Sequence, residues 1–446
     1  MVAPVNISSL DHGAEGCPVV GGNFSDDNST PKKPVGEFLW SPKVQGMLVG
    51  AFYYGYITSQ MVGGWVAEVL GARWLFTLAV LASSAATLAL PWAAPLGASA
   101  TFGLRLGCGL AQGMAYTALY AAMGRWAPPR ERASLLAVAM TGNQVGSILG
   151  MLATGFLCLN PGWRAPFVIF GSSGLLAAIM VFLVVYNEPV EHPRISPQEL
   201  TYLTQNLPHI SSGTEKKKTQ IPWKSLLTSG PVWTLTVTKT CWTWGFYTML
   251  TKLPMYLDQV LHIPITQNGV INASMYLTQS ITGIVAGYLA DLFLHRRVAS
   301  ITAIRKGFEA AALLGTAAST AVLPQLGCQQ GAVIAVLVVA LGCLGLNQGG
   351  DNPNVVDLAP DHAGTIFGIS NGLSAITGIL APLVAGFLLE DQPGSITRWS
   401  TVFYLAAGLF AMGMVVFCAF GTAHVQPWSS AYIGEEKQAT NGLQLK

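Results

Sequence analysis

Charge is scarce in this chain. Of 446 residues only 23 are Lys or Arg and 21 are Asp or Glu, 10% in all, where a soluble domain carries about 25%. With 51% hydrophobic residues and a mean hydropathy of +0.47, the apolar surface exceeds what a soluble core of this length absorbs. A water-soluble globular protein is excluded. The net charge of +2 gives no basic field for nucleic acid. The seven cysteines form no CxxC pair and no metal-ligand spacing. There is no nucleophile–base constellation, no metal cluster and no phosphate-cradling loop, and the seven histidines are scattered over loops and span ends. No enzyme, metal or cofactor is therefore expected. Alternating strands of about ten residues are missing too, which argues against a membrane β-barrel.

What is present is a ladder of about eleven apolar runs, each ~20 residues or more and so able to cross a bilayer. They read 44–69, 74–94, 98–123, 133–158 and 165–186, then 230–258, 266–290, 303–324, 330–349, 363–389 and 399–421. Many of the 49 Gly and 25 Pro lie inside them, as helices packed in lipid tolerate. Basic residues gather at Arg73, at Arg125, Arg130 and Arg132, at Arg194, Lys216, Lys217, Lys218 and Lys224, and at Arg296, Arg297, Arg305 and Lys306. If the spans alternate, all these loops share one face, and that face is cytosolic. The expected organisation is then an outer or lumenal segment 1–43, a first transmembrane set 44–186, a cytosolic loop 187–229, a second set 230–421 and a cytosolic tail 422–446. Three Asn-x-Ser/Thr sequons, at Asn6, Asn23 and Asn28, mark the outer segment as glycosylated. Cys108, Cys241, Cys343 and Cys418 fall in spans as packing residues. Cys17, Cys158 and Cys328 fall near outer loops, where a disulfide is open.

The two sets carry a matched element. Gly63, Gly64, Ala67 and Glu68 end the first run, with Arg73 in the next loop. Ala286, Gly287, Ala290 and Asp291 end a run of the second set, followed by Arg296 and Arg297. The small residues allow close helix approach, and each acid–base pair is expected to latch its helix to the next at the cytosolic face. Five spans, a loop and six spans read as two six-helix halves with the first helix missing. The fold class is thus all-α and polytopic, with the pseudo-symmetry of a transporter.

These paired elements resemble the signature of the major facilitator superfamily. Further segments resemble its anion:cation symporter branch, which holds sodium–phosphate cotransporters, sialin and vesicular glutamate transporters. They are Gly50–Gln60 with Gly63 and Gly64, Trp126–Arg132, Trp244–Thr248 with Pro254 and Tyr256, Asp357–Pro360 with Ala363, Gly364 and Gly368–Asn371, Trp399 with Val402 and Phe403, and Val425–Trp428. The likeness runs from about residue 44 to 428. It implies a first helix before residue 44 and a basic residue in that helix that helps bind the anion. A short isoform, an incomplete gene product or a chain that has lost transport are the readings of its absence.

Ionisable side chains inside spans are costly, ~2.5–3.5 kcal/mol on insertion scales, so each is a functional candidate. Arg105 sits mid-span, and its planar fork suits a carboxylate or phosphate. The resemblance places an anion-binding arginine there. Lys239 lies near the start of its span, where a base reaches either substrate or the interface. Gln112 and Tyr120 share the span of Arg105. The resemblance has Glu and His at those positions in proton-coupled relatives, and often an acid at Cys108. Their replacement favours coupling to sodium or membrane potential over protons. Val49 stands where glutamate-transporting members have a histidine. Tyr53, Tyr54, Tyr56, Trp244 and Tyr247 are aromatic with polar tips suited to a cavity wall. Glu68, Arg73, Asp291, Arg296 and Asp357 are read as gating or structural. Asp351 is read as a partner for Lys239 or a cation ligand, and Asn347 and Asn371 as weaker polar candidates.

The resulting expectation is a monomeric secondary transporter of small anions, inorganic phosphate or organic anions such as sugar acids or carboxylates. Its partners are the anion, a coupling ion (Na+ or H+) and membrane lipid. It would reside in the plasma membrane or a lysosomal or vesicular membrane. The competing expectation is a truncated, non-transporting or regulatory membrane protein.

Overall fold

In lipid the backbone finds no water to bond, so an apolar run closes its own hydrogen bonds as a helix. The computed structural model describes residues 40, 42–159, 162–207, 221–263, 265–390, 392 and 394–429. The first half comprises α1 (Pro42–Leu70), α2 (Ala72–Ala93), α3 (Ala98–Trp126), α4 (Arg132–Leu159) and α5 (Ala165–Val184). The loop that follows holds α6 (Pro197–Asn206) and α7 (Trp223–Leu227). The second half comprises α8 (Gly230–Gln259), α9 (Ile265–His295), α10 (Ile301–Val322), α11 (Gln330–Gly345), α12 (Asp351–Leu358), α13 (Ala363–Ser374), α14 (Thr377–Leu389) and α15 (Ile396–Phe420). Among the described residues there is no strand. The sequons at Asn6, Asn23 and Asn28, the Lys216–Lys218 run and Cys17 lie outside the described residues, as does the Cys158 side chain. Cys328 is disulfide-bonded.

Among the described residues seven stretches are long and apolar enough to cross a membrane on length and composition. Helices α1, α3, α8 and α10 have the length but carry more polar or charged residues. Those polar residues face other helices, not lipid: Gln60, Thr117, Lys239 and Glu309 are all buried. The lipid side is held by residues such as Phe156 and Leu176, which lie exposed on the surface.

Within the first half α3 packs on α1 and α2, and α2 on α5. Gly55 and Gly109 permit the α1–α3 crossing: a Cβ on Gly109 would run into the Phe52 carbonyl. Gly71 adopts φ +88° in the one-residue link between α1 and α2, a conformation that side chains rarely take. Asn187 covers this turn by accepting from the Arg73 backbone N–H at 3.0 Å. In the second half α8 packs on α13, α14 and α15, and α10 on α11 and α15. Its core is aromatic, with Trp399 and Phe403 against Tyr256 at 5.1 and 5.0 Å between ring centres. The halves meet where α1 and α3 lie on α13 and α4 lies on α9. Helix α4 packs mainly on α9 of the other half and touches α5 only lightly.

One span differs from its hydropathy. The run ending at 349 continues through a short turn into α12, and all eight residues Asp351–Leu358 are buried. Their polar sequence reads as a loop because hydropathy counts side chains as solvated. Here they are matched by charged and amide groups from other helices.

Candidate functional site

Between the two halves lies a cavity of about 150 Å³. The first half contributes Tyr56, Tyr116, Tyr120, Asn143 and Gln144, all without formal charge. The second half contributes Lys239, Trp242, Tyr247, Gln279, Asn347 and Gln348, among others. Among the described residues Lys239 is the one charged side chain on this wall.

Lys239 is held from behind. Its Nζ lies 3.3 Å from Asp351 Oδ2 and donates to Asn352 Oδ1 at 3.0 Å. The ammonium also sits 5.4 Å from the centre of the Phe367 ring. Tyr120 stacks on that ring at 3.9 Å and donates its hydroxyl to Asn352 Oδ1 at 3.2 Å. Asn352 in turn donates to Gln348 Oε1 at 3.1 Å. One amide thus links the base of the second half to the tyrosine of the first. The break between α11 and α12 makes this possible, because it turns Gln348, Asp351 and Asn352 toward α8 and α3 instead of continuing a helix face.

The sequence candidates separate into three groups. Tyr120, Lys239 and Tyr247 line the cavity, with Tyr56, Asn347 and Asn371. Tyr53 meets Tyr247 edge-on at 6.4 Å. Arg105 stands near Tyr53 and Cys108, close enough for its charge to act on both, and its buried Nε has no hydrogen-bond partner. Fifteen residues separate it from Tyr120, about 22 Å along α3 toward its N-terminal end. The remaining candidates stand apart from the cavity lining. Tyr54 is 52% exposed, Gln112 is exposed and donates to Cys108 Sγ at 3.6 Å, and Trp244 is half-buried. Asn143 and Gln144 were legible as paired amides within an apolar run. Glu309, an acid in mid-span, gave the same signal as Arg105 without being singled out.

The arginine-rich end is closed by charge. Arg132 of α4 donates to Asp357 at 2.6 Å, and Arg305 of α10 to the other oxygen of the same carboxylate at 2.8 Å. Glu68 of α1 accepts from Thr365 at 2.6 Å and lies 3.0 Å from His362 Nδ1. Asp291 of α9 accepts from the backbone N–H groups of Ala133 and Ser134 at 3.2 and 2.7 Å. Both matched acids therefore cross to the start of a helix in the opposite half, Asp291 onto free backbone N–H groups and Glu68 onto the side chains of Thr365 and His362. The expected latch of each acid to the base in its own loop is not formed. Arg73 instead donates to the Phe182 carbonyl at 3.1 and 2.7 Å and lies 4.5 Å over the Phe182 and Tyr186 rings. Arg296 is exposed. The small residues do allow close approach. Gly64 meets Gly364 and Thr365, and Gly287 meets Ala133 and Ala137, both between halves.

Comparison with known proteins agrees with this architecture. Residues 33–382 and 253–443 match the family model of the Major Facilitator Superfamily. Human sialin is 32% identical over 402 residues, covering 90% of this chain and 79% of sialin. Vesicular glutamate transporter 3 of Danio rerio is 31% identical over 412 residues, covering 90% of this chain and 68% of its own. Among solved structures, a proton:xylose symporter superposes with a TM-score of 0.69 at 12% identity, over 86% of this chain and 87% of its own. A human organic anion transporter superposes with a TM-score of 0.61 at 17% identity, over 83% of each chain.

Proposed function

This chain belongs to the major facilitator superfamily, to the anion:cation symporter branch that includes sialin and the vesicular glutamate transporters, and on that premise we propose that it is a secondary transporter of small organic or inorganic anions in a plasma, lysosomal or vesicular membrane. The observation that carries the reading is the single base on an otherwise neutral wall. Lys239 faces a cavity between halves whose other polar groups are hydroxyls, amides and the Trp242 indole N–H, a set that neutralises one anionic group and hydrogen-bonds the rest of a small molecule. Tyr120 and Tyr247 would receive the anion beside Lys239. Arg105 and Tyr53, nearer the outer end, would draw it in.

Alternating access follows from the ends. The ion pair of Arg132 and the hydrogen bonds of Glu68 and Asp291 across the halves would hold the arginine-rich end shut. Release to that side requires the halves to rock about the cavity and these contacts to part. Each has a hydrated alternative once exposed, so the closed end is stabilised without being locked.

Uptake of labelled phosphate, glutamate, sialic acid and urate into proteoliposomes tests the reading, with Lys239→Gln alongside. The expected result is uptake of at least one anion that falls about 10–100-fold in the variant, since a charge-assisted contact contributes ~1.5–3 kcal/mol. Equal uptake by both proteins would remove Lys239 from the site. No uptake of any of them would reject the function.

A further inference from the structure

Behind Lys239 the second half buries more acid than base. Glu309 of α10 is 0% exposed, Asp351 1% and Lys239 6%. Glu309 Oε2 accepts the Asp351 backbone N–H at 3.0 Å, and Gly350 leaves the room for this approach. The remaining oxygens, Glu309 Oε1 and Asp351 Oδ1, are both buried without a hydrogen-bond partner. Fully ionised, the three groups would carry a net charge of −1 inside the protein, where an uncompensated charge is expensive.

None of the neighbouring charged groups bonds to either of these two oxygens. Arg305, one turn along α10, is committed to Asp357 and to the Gly349 carbonyl. Lys306 donates to the Cys418 carbonyl at 2.7 Å. Asp291 of α9 is taken by the start of α4. Tyr120 from α3 and Cys418 from α15 face the cluster, both neutral in their ordinary forms, and Cys343 from α11 lies by Gly315, further along α10. What is left is a buried oxygen without a hydrogen-bond partner on each of two acids.

We propose that Glu309 and Asp351 together hold one exchangeable proton, and that this site in the second half links proton movement to anion binding at Lys239. The linkage rests on the anion-transport reading above. With the proton bound the cluster is neutral, and the Lys239 charge is available to an anion in the cavity. With the proton lost, the wall behind Lys239 is negative and opposes the anion. Each ligand therefore strengthens the other's binding, as reciprocity requires, and the two travel together. A solvent proton adds to a carboxylate oxygen and later returns to solvent on the other side; no other bond changes. The titratable groups missing from the span of Arg105 concern that span alone. This site lies on other helices.

Two measurements on the full chain test the site. Infrared titration in lipid nanodiscs should show a protonated-carboxyl band in the wild type that is lost in Glu309→Gln and altered in Asp351→Asn. In Lys239→Gln the band should grow, because two acids without a base need a second proton. An unchanged band in all three variants overturns the proposal. In proteoliposomes, with whichever of the four labelled anions is exchanged, Glu309→Gln should keep anion exchange within about twofold yet lose about tenfold or more of the accumulation driven by a pH gradient. Retained pH-driven accumulation overturns the site. So does wild-type accumulation that follows a sodium gradient and is lost in Glu309→Gln, since sodium would then be the occupant. If no anion is exchanged, the transport reading fails, and the infrared arm still decides the proton site.

Discussion

The interface between the two halves is built in two ways. At the arginine-rich end the halves are joined by charge: a carboxylate shared by two arginines, and two acids set on opposing helix starts. At mid-membrane they meet through neutral groups. The Asn371 amide donates to Gln60 at 2.8 Å, Tyr120 stacks on Phe367, and Tyr53 approaches Tyr247. The difference suits two tasks. A gate needs strong contacts that water can replace when they open. A binding site for an anion needs its positive charge not yet fully spent. Lys239, partnered from behind by Asp351 but facing the cavity, meets that need.

The largest effect should come from the charged end. Asp357→Ala leaves Arg132 and Arg305 buried without their carboxylate and should cost about 3–5 kcal/mol. A thermal melt of the purified protein would show it as a large drop; an unchanged melting temperature would mean that the charges contribute nothing to closure. Next comes a steric break of the same end. Gly64→Leu inserts bulk against Gly364 and Thr365 and should cost the closed end about 1–3 kcal/mol. Alkylation of a cysteine introduced at Ser134, assayed from the side of the arginine-rich end, should then rise several-fold.

At the neutral middle the effects should be smaller. Tyr120→Phe keeps the stack on Phe367 but removes the hydroxyl that ties the first half to Asn352, a loss of about 0.5–1.5 kcal/mol. It should raise KM for the transported anion by up to about tenfold while leaving the melt nearly unchanged. The smallest effect is expected for Arg105→Ala. A base away from the cavity acts on the anion through space, so its removal should slow uptake a few-fold at low salt and have little effect at about 1 M salt, where charges are screened within about 3 Å. A loss in Arg105→Ala equal to that in Lys239→Gln would move the binding site outward.

The helices were legible because their cause is local. A run of apolar side chains such as Ala165–Val184 has one stable form in lipid, whatever its neighbours. Most span boundaries agree with hydropathy to within a few residues. The exception is informative: Asp351–Leu358 is polar in composition and buried in fact, and composition cannot record that a partner will arrive. Part of the site was legible by the same reasoning. Lys239, Tyr120 and Tyr247 stand out as polar groups in apolar runs, and the pairing of Lys239 with Asp351 follows from two opposite charges that each need compensation.

By itself the sequence determined the helical ladder and the kinship of the chain, since each rests on local composition or on the order of motifs. Tertiary structure alone decided which charges meet. Glu68 and Arg73 are five residues apart, yet Glu68 pairs with His362 and Thr365, and Asp291 with the start of α4. Arg105 and Lys239 look alike in sequence, yet only Lys239 lines the cavity. The physical reason is that the cost of burying a charge is set by the partners that surround it, and those partners come from helices far apart in the chain.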